Sequence, residues 1–228
     1  MDIMENPWRD LRPSEDSYVL EMDSQCITQH NEIVGEKKTR FIVGSIPEPF
    51  IGNHDSPRVV LLGKNPGHAA QVKKDHSDAN FQMAIFRNLR HEPQEYPFYP
   101  MNPSFKKTGA GIWWRAHTRE LQDDLGANYE VTLGKWLLAI EWFPYPSERF
   151  ARPKIECGSQ KYSFQLAKRM LDKNVLFVGM RGKREWAEVD PRFEQVPFLN
   201  SPQNVCLSRG NTKNGLYARI MNALQGSQ

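Results

Sequence analysis

Three short apolar runs constrain this chain most. Val59–Gly63 (VVLLG), Trp136–Trp142 (WLLAIEW) and Asn174–Met180 (NVLFVGM) are five to seven residues long, and a glycine or proline lies at or just past the end of each. Runs of that length without polar alternation read as strands covered on both faces. Between and after them lie segments with helical spacing. Phe81, Ile85 and Leu89 recur four apart in ANFQMAIFRNLRHE. IWWRAHTRELQDDL, SFQLAKRMLDK, GKREWAEV and NTKNGLYARIMNALQ read as further helices. Gln203–Ser208 (QNVCLS) is expected to supply a fourth strand, Arg40–Gly44 a short additional one, and Ser17–Met22 a short helix. Strands alternating with helices predict an α/β fold, a three-layer α/β/α sandwich around a mostly parallel four-stranded central sheet. In such sheets function collects beyond the carboxyl ends of the strands, here the loops after Gly63, Trp142, Met180 and Ser208.

The length of 228 residues fits one α/β domain, with residues 1–50, which lack clear periodicity, expected to wrap its core. No window approaches the ~18 apolar residues of a membrane span, so no membrane partner is expected. The acidic N-terminus does not read as a signal peptide, which predicts a cytoplasmic protein. Cys26, Cys157 and Cys206 are odd in number and lack C-x-x-C spacing, so reduced, buried thiols are expected, with no metal site and no cofactor. A net charge of +3 is too mild to announce nucleic acid. Its distribution says more, because Arg181–Arg184 (RGKR) and Arg209 fall near predicted strand ends.

The first strand ends in GKNPGH, Gly63 to His68. Gly63 and Gly67 permit backbone angles that other residues resist, Pro66 stiffens the bend, and Asn65 is left as a short polar group at the sheet edge. The turn lacks the length and the Lys-Ser/Thr ending of a phosphate loop, and it is not G-x-G-x-x-G.

The arrangement resembles the uracil-DNA glycosylase superfamily, in the branch whose first motif reads G-(M/I)-N-P-G, with Lys64 replacing the apolar residue. The likeness runs in strand order from about Phe50 to the C-terminus. It implies that Asn65 positions the water attacking the deoxyribose carbon, that Gly63, Lys64 and Pro66 contact the base, and that His68 has a supporting catalytic role. The family's second landmark is an Asn at the end of the next core strand that reads the pyrimidine edge. Matching Pro144 of EWFPY to the family proline puts Glu141 there. An ionised carboxylate only accepts hydrogen bonds, and accepting from an exocyclic N4 amine is the pairing expected with cytosine. Because removal of ordinary cytosine would destroy a genome, a cytosine substituted at C5, such as one in foreign DNA, is the expected substrate.

The third landmark, the loop after the last strand, is matched through Ser208, which leaves Cys206 at the family's histidine and Leu207 at its proline. Ser208, Arg209 and Asn211 are expected to grip phosphate, as are Arg181, Lys183 and Arg184 at a helix start. Phe81 stands nearest the family's base-stacking Phe, with Phe98, Tyr99, Trp113 and Trp114 as other aromatic candidates. The resemblance implies a monomeric, monofunctional DNA glycosylase that flips a pyrimidine from single- or double-stranded DNA and leaves an abasic site. Three other readings stay open: a uracil or mismatched-thymine glycosylase, a non-catalytic DNA-binding module of the same fold, and a nucleotide or sugar-phosphate enzyme.

Overall fold

In the computed structural model, residues 5–13, 17–68 and 74–226 are described. Strands β1 (Phe50–Gly52), β2 (Val59–Gly63), β3 (Leu137–Glu141) and β4 (Leu176–Gly179) form one sheet in the order β1-β3-β2-β4. β2 is parallel to both β3 and β4, while β1 runs antiparallel along the outer edge of β3. The register aligns Gly63 with Glu141 and Leu62 with Gly179, so three strands end on one edge. Val59, Val60, Leu61, Leu62, Leu137, Leu138 and Ile140 are sealed from solvent, which is why these runs lack polar alternation.

The described helices are α1 (Ser24–Val34), α2 (Ala79–Leu89), α3 (Gly109–His117), α4 (Arg119–Leu125), α5 (Tyr129–Trp136), α6 (Gln160–Asp172), α7 (Lys183–Val189) and α8 (Leu216–Gln225). α5 and α8 pack on each other and against β1, β2 and β4. α6 packs on β3, and its Tyr162 meets His91, just past α2, over Phe50 of β1. Sheet and helices together make the expected α/β sandwich. Local chemistry starts the helices where the apolar spacing begins. Asp78 accepts the Asn80 and Phe81 N–H groups at 3.0 and 2.9 Å, and Thr108 caps α3 through Gly111 N–H at 3.0 Å.

Three expectations about segments are corrected. Gln203–Ser208 forms no strand, and residues 197–199 occupy the free edge of β4. There Gly179 N–H donates to the Pro197 carbonyl and Leu199 N–H to the Gly179 carbonyl. The fourth strand is instead β1, whose three residues end in Gly52 with φ 118°. Arg40–Gly44 forms turns, its Phe41 N–H taken by the Asn31 side chain at 2.8 Å. At Ser17–Met22 the helical part is a 3-10 turn over Glu21–Asp23, leading into α1.

The N-terminal fifty residues, of which 1–4 and 14–16 lie outside the described set, add Trp8, Ile27, Phe41 and Ile46 to the core formed by the sheet. This wrapping corrects the cysteine reading. It brings Cys26 of α1 to Cys157, with Cα atoms 5.5 Å apart, and the two form a disulfide, leaving Cys206 as the free thiol. A separation of 131 residues hides that pairing from any spacing rule. Among the described residues no helix is long and apolar enough to cross a membrane.

Candidate active site

The turn after β2 is braced from two sides. Gly63 carbonyl accepts the Trp186 indole N–H from α7 at 2.7 Å, and Lys64 carbonyl accepts Phe143 N–H at 2.9 Å. Asn65 Nδ2 donates to Ser147 Oγ at 3.0 Å and to the Pro66 carbonyl at 2.9 Å. Both amide hydrogens are thereby committed, so what the Asn65 side chain offers a ligand is its acceptor, Oδ1.

The turn opens on a cavity of about 350 Å³ at the carboxyl edge of the sheet. Its floor is one face of the sheet, with Leu61 and Gly63 of β2, Ala139 and Glu141 of β3, and Ile51 of β1 at the two-residue period of a strand. α3 closes one side with Gly109, Ala110, Trp113 and Trp114. Lys64, Asn65, Pro66, Gly67, His68, Glu48, Met180, Arg181 and Val205 complete the lining. At about 350 Å³ the cavity lies in the range of small-molecule sites.

Glu141 lies directly over Gly63, whose register partner it is, and a Cβ at Gly63 would collide with the carboxylate. A side chain there would push that acid aside. Glu141 Oε2 is buried with no hydrogen-bond partner among the described residues. Burial pushes the Glu141 pKa up to about 8; the Arg181 guanidinium opposes the rise and Glu48 adds to it. At neutral pH the side chain is therefore predominantly a neutral acid, which corrects the expectation of an acceptor-only carboxylate. Glu48 is likewise raised by burial, while the hydroxyl of Tyr99, donated to it, pulls the other way. His68 is half-buried, with Nδ1 3.5 Å from Ser45 Oγ, and burial lowers its pKa against the opposing field of Glu148.

The cavity gathers Gly63, Lys64, Asn65, Pro66, His68, Glu141 and Arg181 from the sequence-predicted set. The Lys64 ammonium turns outward to Glu185 Oε1 of α7 at 2.5 Å. Arg181 holds its guanidinium at the rim through Nε donating to the Pro202 carbonyl at 3.0 Å. Lys183 and Arg184 are exposed on the first turn of α7, where Arg184 lies 3.5 Å from Glu188.

Of the aromatic candidates Trp113 and Trp114 line the cavity, whereas Phe81, Phe98, Tyr99, Ser208, Arg209 and Asn211 do not. Phe81 is buried, edge-on to Tyr99 and Phe105 at ring distances of 5.6 and 5.1 Å, so it supports the wall from behind. Aromatic surface in the cavity comes instead from Trp113 and Trp114, packed edge to face at 4.7 Å. Arg209 is tied to Glu120 and Asp124 and lies over Tyr217, while buried Asn211 accepts Ser201 N–H and donates to the Asn204 and Cys206 carbonyls. Asn211 shapes its loop from within, and Arg209 is held by acids. Ser208 is partly exposed beside them and lies outside the lining that holds Asn65 and Glu141.

Glu48, Tyr99's link to it, Ser147 and Met180 are the parts of the site that sequence reasoning missed. A proline on each side of Glu48 marks a bend before a strand but carries no chemical signal. Comparison of the chain with protein-family models, with curated proteins and with solved structures finds no match.

Proposed function

We propose that this protein is a monofunctional DNA glycosylase that draws a pyrimidine nucleotide out of DNA and hydrolyses its N-glycosidic bond. The observation that carries the reading is the pairing of Asn65 and Glu141 across one cavity, a fixed acceptor on a stiff turn facing an acid with a free buried oxygen. In this reading the extruded base occupies the cavity against Trp113 and Trp114, and its polar edge meets Glu141. Asn65 Oδ1 accepts from a water and aims its lone pair at the sugar carbon as the bond to the base lengthens and positive charge builds on the sugar. The product is an abasic site. Arg181 at the rim, with exposed Lys183 and Arg184 beyond it, supplies the basic surface for the phosphates, and Arg209 and Asn211 are left out of that role.

The neutral state of Glu141 widens the choice of base. A carboxylic acid both donates and accepts, so it matches the N3–H and O4 of uracil as well as the N3 and N4 amine of cytosine. Uracil is therefore a second reading with its own observation behind it, beside the modified cytosine expected from a charged Glu141.

The test is cleavage of oligonucleotides carrying uracil, a G·T mismatch, cytosine or 5-hydroxymethylcytosine, followed by alkali to break the strand at abasic sites. Alkali-labile product is expected from at least one, and Asn65→Ala should lower the single-turnover rate about a hundredfold or more with DNA affinity kept. Activity that survives Asn65→Ala would rule out Asn65 as the residue that places the water, and binding without cleavage by the unaltered protein would favour a DNA-binding module.

A further inference from the structure

Glu48 has no part in the water-placing step, yet it lines the same cavity as Glu141. The antiparallel pairing of β1 with β3 puts it there. Glu141 N–H donates to the Pro49 carbonyl at 2.9 Å, and Glu48 N–H donates to the Pro144 carbonyl at 3.2 Å. The two acids differ in their partners. A Glu48 oxygen accepts the hydroxyl of buried Tyr99, whereas Glu141 Oε2 receives no donor among the described residues. Burial raises the pKa of both carboxyl groups, and the field of Glu48 adds to the rise at Glu141, which disfavours ionising both. The acid with a hydroxyl donor is the better anion, and the one without keeps the proton. The groups facing Glu141 are Gly63 from β2, Glu48 from the segment before β1, and Arg181 from the segment after β4.

We propose that Glu48 and Glu141 act as a pair holding one proton, that the pair selects a pyrimidine with an exocyclic amine beside an unprotonated ring nitrogen, and that Glu141 delivers its proton to the departing base. The inference rests on the glycosylase reading and deepens it. Glu141 O–H donates to N3, its other oxygen accepts one amine hydrogen, and Glu48 accepts the second. A keto oxygen in place of the amine would face the lone pairs of Glu48, so Glu48 is the residue that separates cytosine-type from uracil-type bases. As the bond from the sugar carbon to N1 breaks, its electron pair stays with the base and the Glu141 proton moves to N3, so the base leaves neutral. The water oxygen bonds to the sugar carbon, and its surplus proton passes through neutral His68 to solvent, from which Glu141 is reprotonated. This supplies leaving-group stabilisation in a chain with Cys206 where the resembled family has its histidine.

The test uses oligonucleotides carrying 5-hydroxymethylcytosine or 5-hydroxymethyluracil, which share a substituent and differ in the amine or keto group. Binding and single-turnover cleavage are measured for the unaltered protein, Glu48→Gln and Glu141→Gln. The unaltered protein should prefer the amine base. Glu48→Gln keeps a carbonyl for Tyr99 but turns an amide donor to the cavity, and should reduce that preference about tenfold or more. Tyr99→Phe, which removes only the hydroxyl, should weaken it in the same direction. Glu141→Gln should bind the amine base but cleave it about a hundredfold or more slowly, without the loss of rate that the unaltered protein shows above a pH of about 8. Infrared spectra at neutral pH should show a protonated carboxyl band that Glu141→Gln removes. Equal affinity for the two bases, a preference unchanged by Glu48→Gln, or no infrared band lost in Glu141→Gln would each overturn the pair. Absence of cleavage by the unaltered protein would overturn the hydrolase reading and with it the proton delivery, while binding and the infrared band still decide the pair and its choice of base.

Discussion

Gly63 and Gly67 stand four residues apart in one turn and differ in what a methyl group would meet. At Gly63 a Cβ runs into the Glu141 carboxylate, whereas at Gly67 it meets nothing within 4 Å among the described residues. Gly63→Ala should therefore displace the flexible end of Glu141 from its place in the cavity at a cost of about 1 kcal/mol in denaturant unfolding, while Gly67→Ala should change stability little. Both glycines look alike in the sequence, yet neither takes a positive φ, so what separates them is the neighbour across the sheet and not backbone freedom. Asn65 is legible for the opposite reason: a short amide between a lysine and a proline at a strand end has few places to go. Glu141 is legible in position but not in charge, since its proton is held by burial and by Glu48, which arrives from another part of the chain.

At the scale of elements, long-period patterns carry through and short pairings do not. The runs over β2, β3 and β4 and the spacing of α2 and α6 match the sequence reading within a few residues of their bounds. β1 escapes it because it has three residues and draws its order from outside itself. Asn88 of α2 accepts Gly52 N–H at 2.9 Å and donates to the Phe50 carbonyl at 2.8 Å, standing in for a neighbouring strand. Asn88→Ala would leave two buried backbone groups unpaired, and a loss of about 2–5 kcal/mol is expected by chemical denaturation, with faster hydrogen exchange at Gly52. Phe81 shows the limit of helical spacing as a guide: the pattern correctly puts it on the inward face of α2, but facing inward leads to the core behind Tyr99 and not to the cavity.

For the whole molecule, the decisive unread feature is the bond between Cys26 and Cys157. It joins the N-terminal wrap to the loop before α6, and both cysteines are buried. Reduction, or Cys157→Ser, should lower the melting temperature by roughly 5–15 °C, as expected for a loss of about 2–4 kcal/mol in a chain of this size. Scanning calorimetry with and without reductant measures this directly. The same bond divides the chain into a covalent ring and two tails. β1, β2 and β3, with Glu48, Asn65 and Glu141, lie inside the ring, while β4, Arg181 and α7 lie outside it. A molecule stretched from its two ends would therefore surrender its tails and keep the 131-residue separation closed, withholding roughly 450 Å of contour length until the sulfurs part.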